Sequence, residues 1–199
     1  MVITQETQGE ELARDILFFS SPAQVLKAFL NRTGKPALPP EWAFGVWMSA
    51  NGWSSDREVK AQLAALKEHD YPASVLVLEA WSDERTFHRW NDDGSWENPA
   101  KTVAEIRAAG LHLVLWQIPV IKHEWNGPAG AFLKADAQEA VEKGYVVKGA
   151  DGGPYRITRN WFHHSMLLDF TNPAAVDWWF QKRKYLLDMG VEGFKTDGG

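Results

Sequence analysis

The sequence predicts an α/β protein: a parallel (β/α)8 barrel, of which this chain carries roughly the first four strands as a half barrel. Three observations predict it. Apolar strand candidates alternate with amphipathic helix candidates in the order β-α-β-α-β-insertion-α-β. The strand candidates "ASVLVLEA" and "HLVLWQIPVI" are continuous apolar runs, as in strands buried on both faces of a parallel sheet. The turn after the first strand, "SANGWSS", holds a single Gly, so the competing dinucleotide-binding fold lacks its phosphate loop.

The elements follow in order. Residues 1–20 form a polar tail ending in "DILFFS", a short strand candidate. "SSPAQVLKAFLNRTG" predicts a helix, with Ser21 as N-cap, Pro22 at its first position and Gly34 as terminator. Val25, Leu26, Phe29 and Leu30 share one face of it. The Pro-rich "KPALPP" interrupts regular structure and marks a domain boundary. "WAFGVWMS" predicts the first barrel strand, with Trp42 and Trp47 as packing residues. "SDREVKAQLAALKEHD" predicts a helix capped by Ser55 or Asp56, with Val59, Leu63 and Leu66 at helical spacing. "ASVLVLEA" is strand two. "NPAKTVAEIRAAG" is a helix capped by Asn98 and ended by Gly110. "HLVLWQIPVI" is strand three. The stretch from Lys122 to Leu168 is an insertion with a short helix at "DAQEAVEKG". "TNPAAVDWWFQKRKYLLDMG" is a helix capped by Asn172 and ended by Gly190, and "VEGFKTD" is strand four.

Composition narrows the function. Of 199 residues, 45% are hydrophobic and 24% charged, the balance of a folded globular chain. A net charge of −5 with scattered Lys and Arg argues against a nucleic-acid surface. No apolar run reaches membrane-spanning length. The N-terminus lacks a basic segment followed by an apolar one, and there is no Cys, so a cytoplasmic, disulfide-free protein is expected. The six His show no metal-binding spacing, and no metal or cofactor is expected. The 11 Trp fit either a large aromatic core or a sugar site, where indole faces pack on the C–H faces of pyranose rings; composition by itself favours the core.

Strand ends carry the chemistry of a βα fold. Strand one ends near Ser49, Asn51 and Trp53; strand two in Glu79, Trp81 and Asp83; strand three in Trp116 and Gln117; strand four in Lys195 and Asp197. Lys195 and Asp197 alternate, so both point to one face. Two charges there are costly unless paired or used. Asp169, beside a helix cap, reads as a loop hydrogen-bonder, and Trp178 and Trp179 as packing.

Taken together, "LPPEWAFGVWMS", "GLHLVLWQIPVI", "EKGYVVKGADGGPY", "LLDFTNPAAVDWW" and "MGVEGFKTDGG" resemble glycoside hydrolase family 31 from about Ser20 to the last residue. The resemblance implies a retaining α-glycosidase acting on α-glucosides or α-xylosides. It makes residues 1–38 the end of a preceding β-domain plus a linker helix, and residues 39–199 the first half of the catalytic barrel. It implies that Asp197 is the nucleophile and that Lys195 binds the sugar and keeps Asp197 ionised. It places Glu79, Trp81, Trp116 and, more weakly, Trp53 around the substrate. Many family members carry Asp where this chain has Glu79. The acid/base carboxyl would lie on a later barrel loop, outside these residues, leaving this chain inactive by itself and its sheet edge exposed. A lyase of the same family and a non-catalytic sugar-binding protein are the alternatives.

Overall fold

The computed structural model describes residues 16, 18–82, 86–91, 93–122, 130–159 and 162–197. The chain divides into two compact units, Met1–Pro40 and Glu41–Gly199. The first unit contains helix α1 (Pro22–Thr33), capped by Ser21, whose hydroxyl accepts the Gln24 N–H, and ended at Gly34 with φ 84°. Val25, Leu26 and Phe29 border a groove shared with Phe19. The strand expected at "DILFFS" does not form at its described residues Ile16 and Phe18–Ser20.

The second unit is built on four parallel strands in the order β1-β2-β3-β6: β1 (Val46–Ala50), β2 (Ala73–Leu78), β3 (His112–Gln117) and β6 (Gly193–Thr196). Helices α2 (Asp56–Glu68) and α3 (Pro99–Ala108) connect the first three strands, and α5 (Pro173–Met189) leads into β6. Between β3 and α5 lies the predicted insertion, which holds α4 (Gly130–Glu142) and a small antiparallel pair, β4 (Val120–Ile121) with β5 (Met166–Leu167). Four parallel strands connected by helices are part of the expected barrel.

Local chemistry explains the helix starts. Ser55 caps α2: its hydroxyl accepts the Glu58 N–H, and the Glu58 carboxylate accepts the Ser54 N–H in return at 2.9 Å. Asn98 and Asn172 cap α3 and α5, each followed by Pro at the first helical turn. Such caps contribute about 1 kcal/mol each. Asp56, the other cap candidate, is buried and instead joins α2 to the loop before α3 by accepting from the Glu97 N–H and the Thr102 hydroxyl.

Two boundaries differ from expectation. Residues Glu41–Phe44 form a 3-10 turn, and β1 begins only at Val46. Gly45 makes this possible, because a Cβ there would lie 1.7 Å from the Ser74 hydroxyl oxygen. The insertion helix also starts earlier than its sequence suggests, at Gly130.

The two faces of the sheet differ. Leu76, Leu78, Leu113 and Leu115 form one aliphatic cluster with Val59 of α2, Val103 and Ile106 of α3, and Leu186 of α5. Each such side chain, fully buried, stabilises by roughly 1.5–3 kcal/mol. The alternate residues Val75, Val77 and Val114 form a smaller cluster on the opposite face, backed by Trp42. That opposite face is the one a closed barrel turns inward. Trp178 and Trp179 of α5 are buried in a third cluster with Phe87, Ile118, Val120 and Met166, which carries the insertion. Trp47 departs from its expected packing role: it is 45% exposed, because β1 is an edge of the sheet.

Candidate active site

The register decides which strand-end residues meet. Ser49 pairs with Val77, Val77 with Val114, and Val114 with Gly193, while Trp116 pairs with Lys195. Two residues on from Val77, with the same side-chain direction, comes Glu79; two on from Lys195 comes Asp197. Ser49, Glu79, Trp116, Lys195 and Asp197 therefore share the inward face at the C-terminal ends of four adjacent strands.

Their contacts are specific. Lys195 Nζ donates to Glu79 Oε1 at 2.9 Å, and the Ser49 hydroxyl donates to the same oxygen. Among the described residues Glu79 Oε2 accepts no hydrogen bond. Partial burial pushes the Glu79 carboxyl upward, but the Ser49 and Lys195 donors outweigh it and hold the group below its ordinary value, against the repulsion of Asp197. Asp197 is half-buried. Its Oδ2 accepts from the Trp116 indole N–H at 3.1 Å, and its own N–H donates to Gln117 O at 3.2 Å, extending the β3–β6 ladder one residue past the strand.

Behind this face a second set of contacts holds the strand tip. The Gln117 side chain donates to Thr196 Oγ1 and accepts from the Arg183 guanidinium of α5. Arg183 is 3% exposed, set against Trp179, Phe180 and Phe194, and burial lowers its pKa to about 10. Gln117 thus grips β6 twice, through the Thr196 hydroxyl and the Asp197 amide. Neither Arg183 nor Thr196 stands out in the sequence: a lone Arg in "WWFQKRKYLL" reads as a solvated helix face.

The predicted site residues fare unequally. Glu79, Trp116, Lys195 and Asp197 are brought together. Lys195 pairs with Glu79 and not, as expected, with Asp197; the indole of Trp116 is the group hydrogen-bonded to Asp197. Trp81 corrects its expected role: it is fully buried, packed edge-on to Trp90, with its indole N–H donated to Trp116 O. It supports Trp116 from beneath and has no face to offer a ligand. Trp53 is half-buried and packs against the cluster that also holds Trp81. Asp169 accepts from the Thr171 amide and hydroxyl, a loop-ordering role as read from its position. Asp83 and His123 lie outside the described residues. Among the described residues no group of His, Asp and Glu could hold a metal ion, and no helix is long and apolar enough to cross a membrane.

Residues 36–199 match the glycosyl hydrolases family 31 TIM-barrel domain. The chain belongs to glycoside hydrolase family 31. Among family relatives, an isomaltosyltransferase of Sporosarcina globispora is 39% identical over 88% of this chain. A cycloalternan-forming enzyme from Listeria monocytogenes, solved with a pentasaccharide substrate, is 38% identical over 88% of this chain, with a TM-score of 0.82. A cycloalternan-degrading enzyme from Trueperella pyogenes, solved with a covalent intermediate, is 35% identical over 90% of this chain, with a TM-score of 0.81. The chain spans 18%, 18% and 27% of the lengths of these three family 31 proteins.

Proposed function

We propose that this chain carries the nucleophile half of a retaining α-glycosidase site that acts on α-glucosides or α-xylosides. The observation that carries the reading is Asp197 at a strand end, with one oxygen oriented by the Trp116 indole and the other, Oδ1, without a hydrogen bond among the described residues. An oriented carboxylate with an unoccupied oxygen is suited to attack an anomeric carbon. The covalent intermediate in the Trueperella relative supports the same chemistry. The C1–O bond to the leaving group breaks as the bond from Asp197 to C1 forms; water then attacks C1 from the face the leaving group vacated, the Asp197–C1 bond breaks to return the free carboxylate, and the water proton passes to the acid/base group. Glu79 accepts a hydrogen bond from a hydroxyl of the sugar in the same subsite.

A second carboxyl must protonate the departing oxygen. Glu79 is unsuited to that role, because its two donors favour the ionised form and a general acid must hold a proton. The acid/base is assigned to the part of the family 31 relatives that this chain does not span, and residues 1–38 to the end of a preceding β-domain. The test uses the protein expressed from its complete reading frame with aryl α-glucosides and α-xylosides. Asp197→Asn is expected to lower kcat by roughly 10⁴-fold or more with folding unchanged; near-normal turnover would remove Asp197 from the mechanism.

The names of two relatives favour a second outcome from the same intermediate. Transfer of the glycosyl group to a sugar hydroxyl in place of water would fit the names isomaltosyltransferase and cycloalternan-forming enzyme. Product analysis separates the two: free sugar rising in step with the aryl alcohol marks hydrolysis, and longer oligosaccharides mark transfer.

A further inference from the structure

Glu79 is held in an uneven way. Both of its protein donors, the Ser49 hydroxyl on β1 and Lys195 Nζ on β6, reach the same oxygen, Oε1. A carboxylate oxygen has two lone-pair sites, so Oε1 is filled. Oε2 has no partner among the described residues. An arrangement built only to neutralise Glu79 would spread donors over both oxygens, as at Asp136, where His88 takes Oδ2 and Lys182 takes Oδ1. Ser49 is exposed on an edge strand and, among the described residues, packs into no core cluster and makes this one side-chain hydrogen bond. Lys195 spans β3 to reach Glu79, a residue 116 positions away in sequence. The two donors come from opposite sides of β2 and β3, so together they set the carboxylate plane.

We propose that Ser49 is a positioning residue: with Lys195 it saturates one oxygen of Glu79, turning the other toward the open face as the acceptor for a sugar hydroxyl. The inference rests on the sugar-binding reading above. The Glu79 side chain reaches Ser49 and Lys195 at once. The groups that share the face with Glu79 are Ser49 of β1, Trp116 of β3, and Lys195 and Asp197 at β6.

The experiment uses Ser49→Ala and Ser49→Thr in the protein from its complete reading frame. Removing one donor to a charged acceptor should raise KM for p-nitrophenyl α-glucoside about tenfold, with kcat within about twofold. Monodeoxy α-glucosides add a direct reading. The deoxy sugar that costs the wild type most should cost Ser49→Ala little, since the same contact is already weakened. Titration of the Glu79 carboxyl, followed by carbon NMR, should move upward in Ser49→Ala. Ser49→Thr keeps the hydroxyl and should restore all three. A KM and a Glu79 titration unmoved in Ser49→Ala overturn the proposal, as does a Thr variant as impaired as the Ala variant. Should the wild type bind methyl α-glucoside without turning any glycoside over, the glycosidase reading fails while a tenfold Kd change in Ser49→Ala still upholds the role of Ser49. A wild type that binds no sugar overturns both.

Discussion

Asp136 and Glu79 are both carboxylates held by a lysine, yet their surroundings differ in a way that separates scaffold from site. Asp136, on α4, is 6% exposed, and both of its oxygens are taken, Oδ2 by His88 at 2.6 Å and Oδ1 by Lys182 at 2.7 Å. Lys182 continues to Glu139 at 2.9 Å, and Glu139 to Lys143 at 2.7 Å, closing a ladder between α4 and α5. Glu79 and Asp197 each keep one oxygen without a hydrogen bond among the described residues, at the strand ends of the inward face. A saturated cluster orders elements; an unsaturated one has acceptors left for a ligand. Charge by itself does not distinguish them, but burial runs with saturation: Asp56, the other buried carboxylate, also has both oxygens occupied, whereas Glu79 and Asp197 are half-buried.

Three measurements bear on this contrast. The largest effect is expected from Asp136→Ala. It removes the partner of His88 and one of the two carboxylates that hold Lys182, and should cost about 1–3 kcal/mol of stability, read by denaturant unfolding, while turnover per folded molecule stays near wild type. If Asp136→Ala instead removed activity with stability intact, the scaffold assignment would fail. Lys195→Met is the converse experiment. It should lower kcat/KM about 10–100-fold and leave the melting temperature within a few degrees, because Lys195 is 42% exposed; a large loss of stability would make the pair structural.

The smallest effect concerns acid. Lys143 holds Glu139 down, burial pushes it up, and Lys182 adds to the lowering, leaving its pKa at about 2. Burial raises Asp136, and His88 with Lys182 outweigh it, so this group too lies below its ordinary value. Both folded-state values are depressed, so the stability they contribute is present above the unfolded values, near 4.5 and 3.8, and is lost as pH falls through the folded ones. Melting temperature should therefore fall between about pH 4.5 and pH 2, and Asp136→Ala should flatten that slope. An unchanged slope would mean that other carboxylates control the acid transition.

Much of the architecture was legible in the sequence because its signals are local. Asn98-Pro99 and Asn172-Pro173 announce helix starts through orphan amides that a side-chain oxygen satisfies. Gly190 announces an end through its left-handed φ of 107°. Continuous apolar runs announce strands covered on both faces. The expected strand at "DILFFS" and the strand start at Trp42 depended on pairing partners, and local pattern carries no information on those. The many Trp also divide by packing: Trp81, Trp90, Trp96, Trp116, Trp178 and Trp179 are all buried, so most of the aromatic excess builds core.

By itself the sequence determined that Lys195 and Asp197 share a face, since side chains alternate along any strand. It also determined that Glu79 and Trp116 end their own strands. Only the tertiary structure decided that Lys195 grips Glu79 while Asp197 takes the Trp116 indole, that Trp81 is fully buried with its indole on Trp116 O, and that Arg183 braces the strand tip through Gln117. Those choices depend on strand order and register, which bring together residues 30 to 116 positions apart. The period of a strand sets direction; which side chains then come within 3 Å of one another is set by the neighbours the fold supplies.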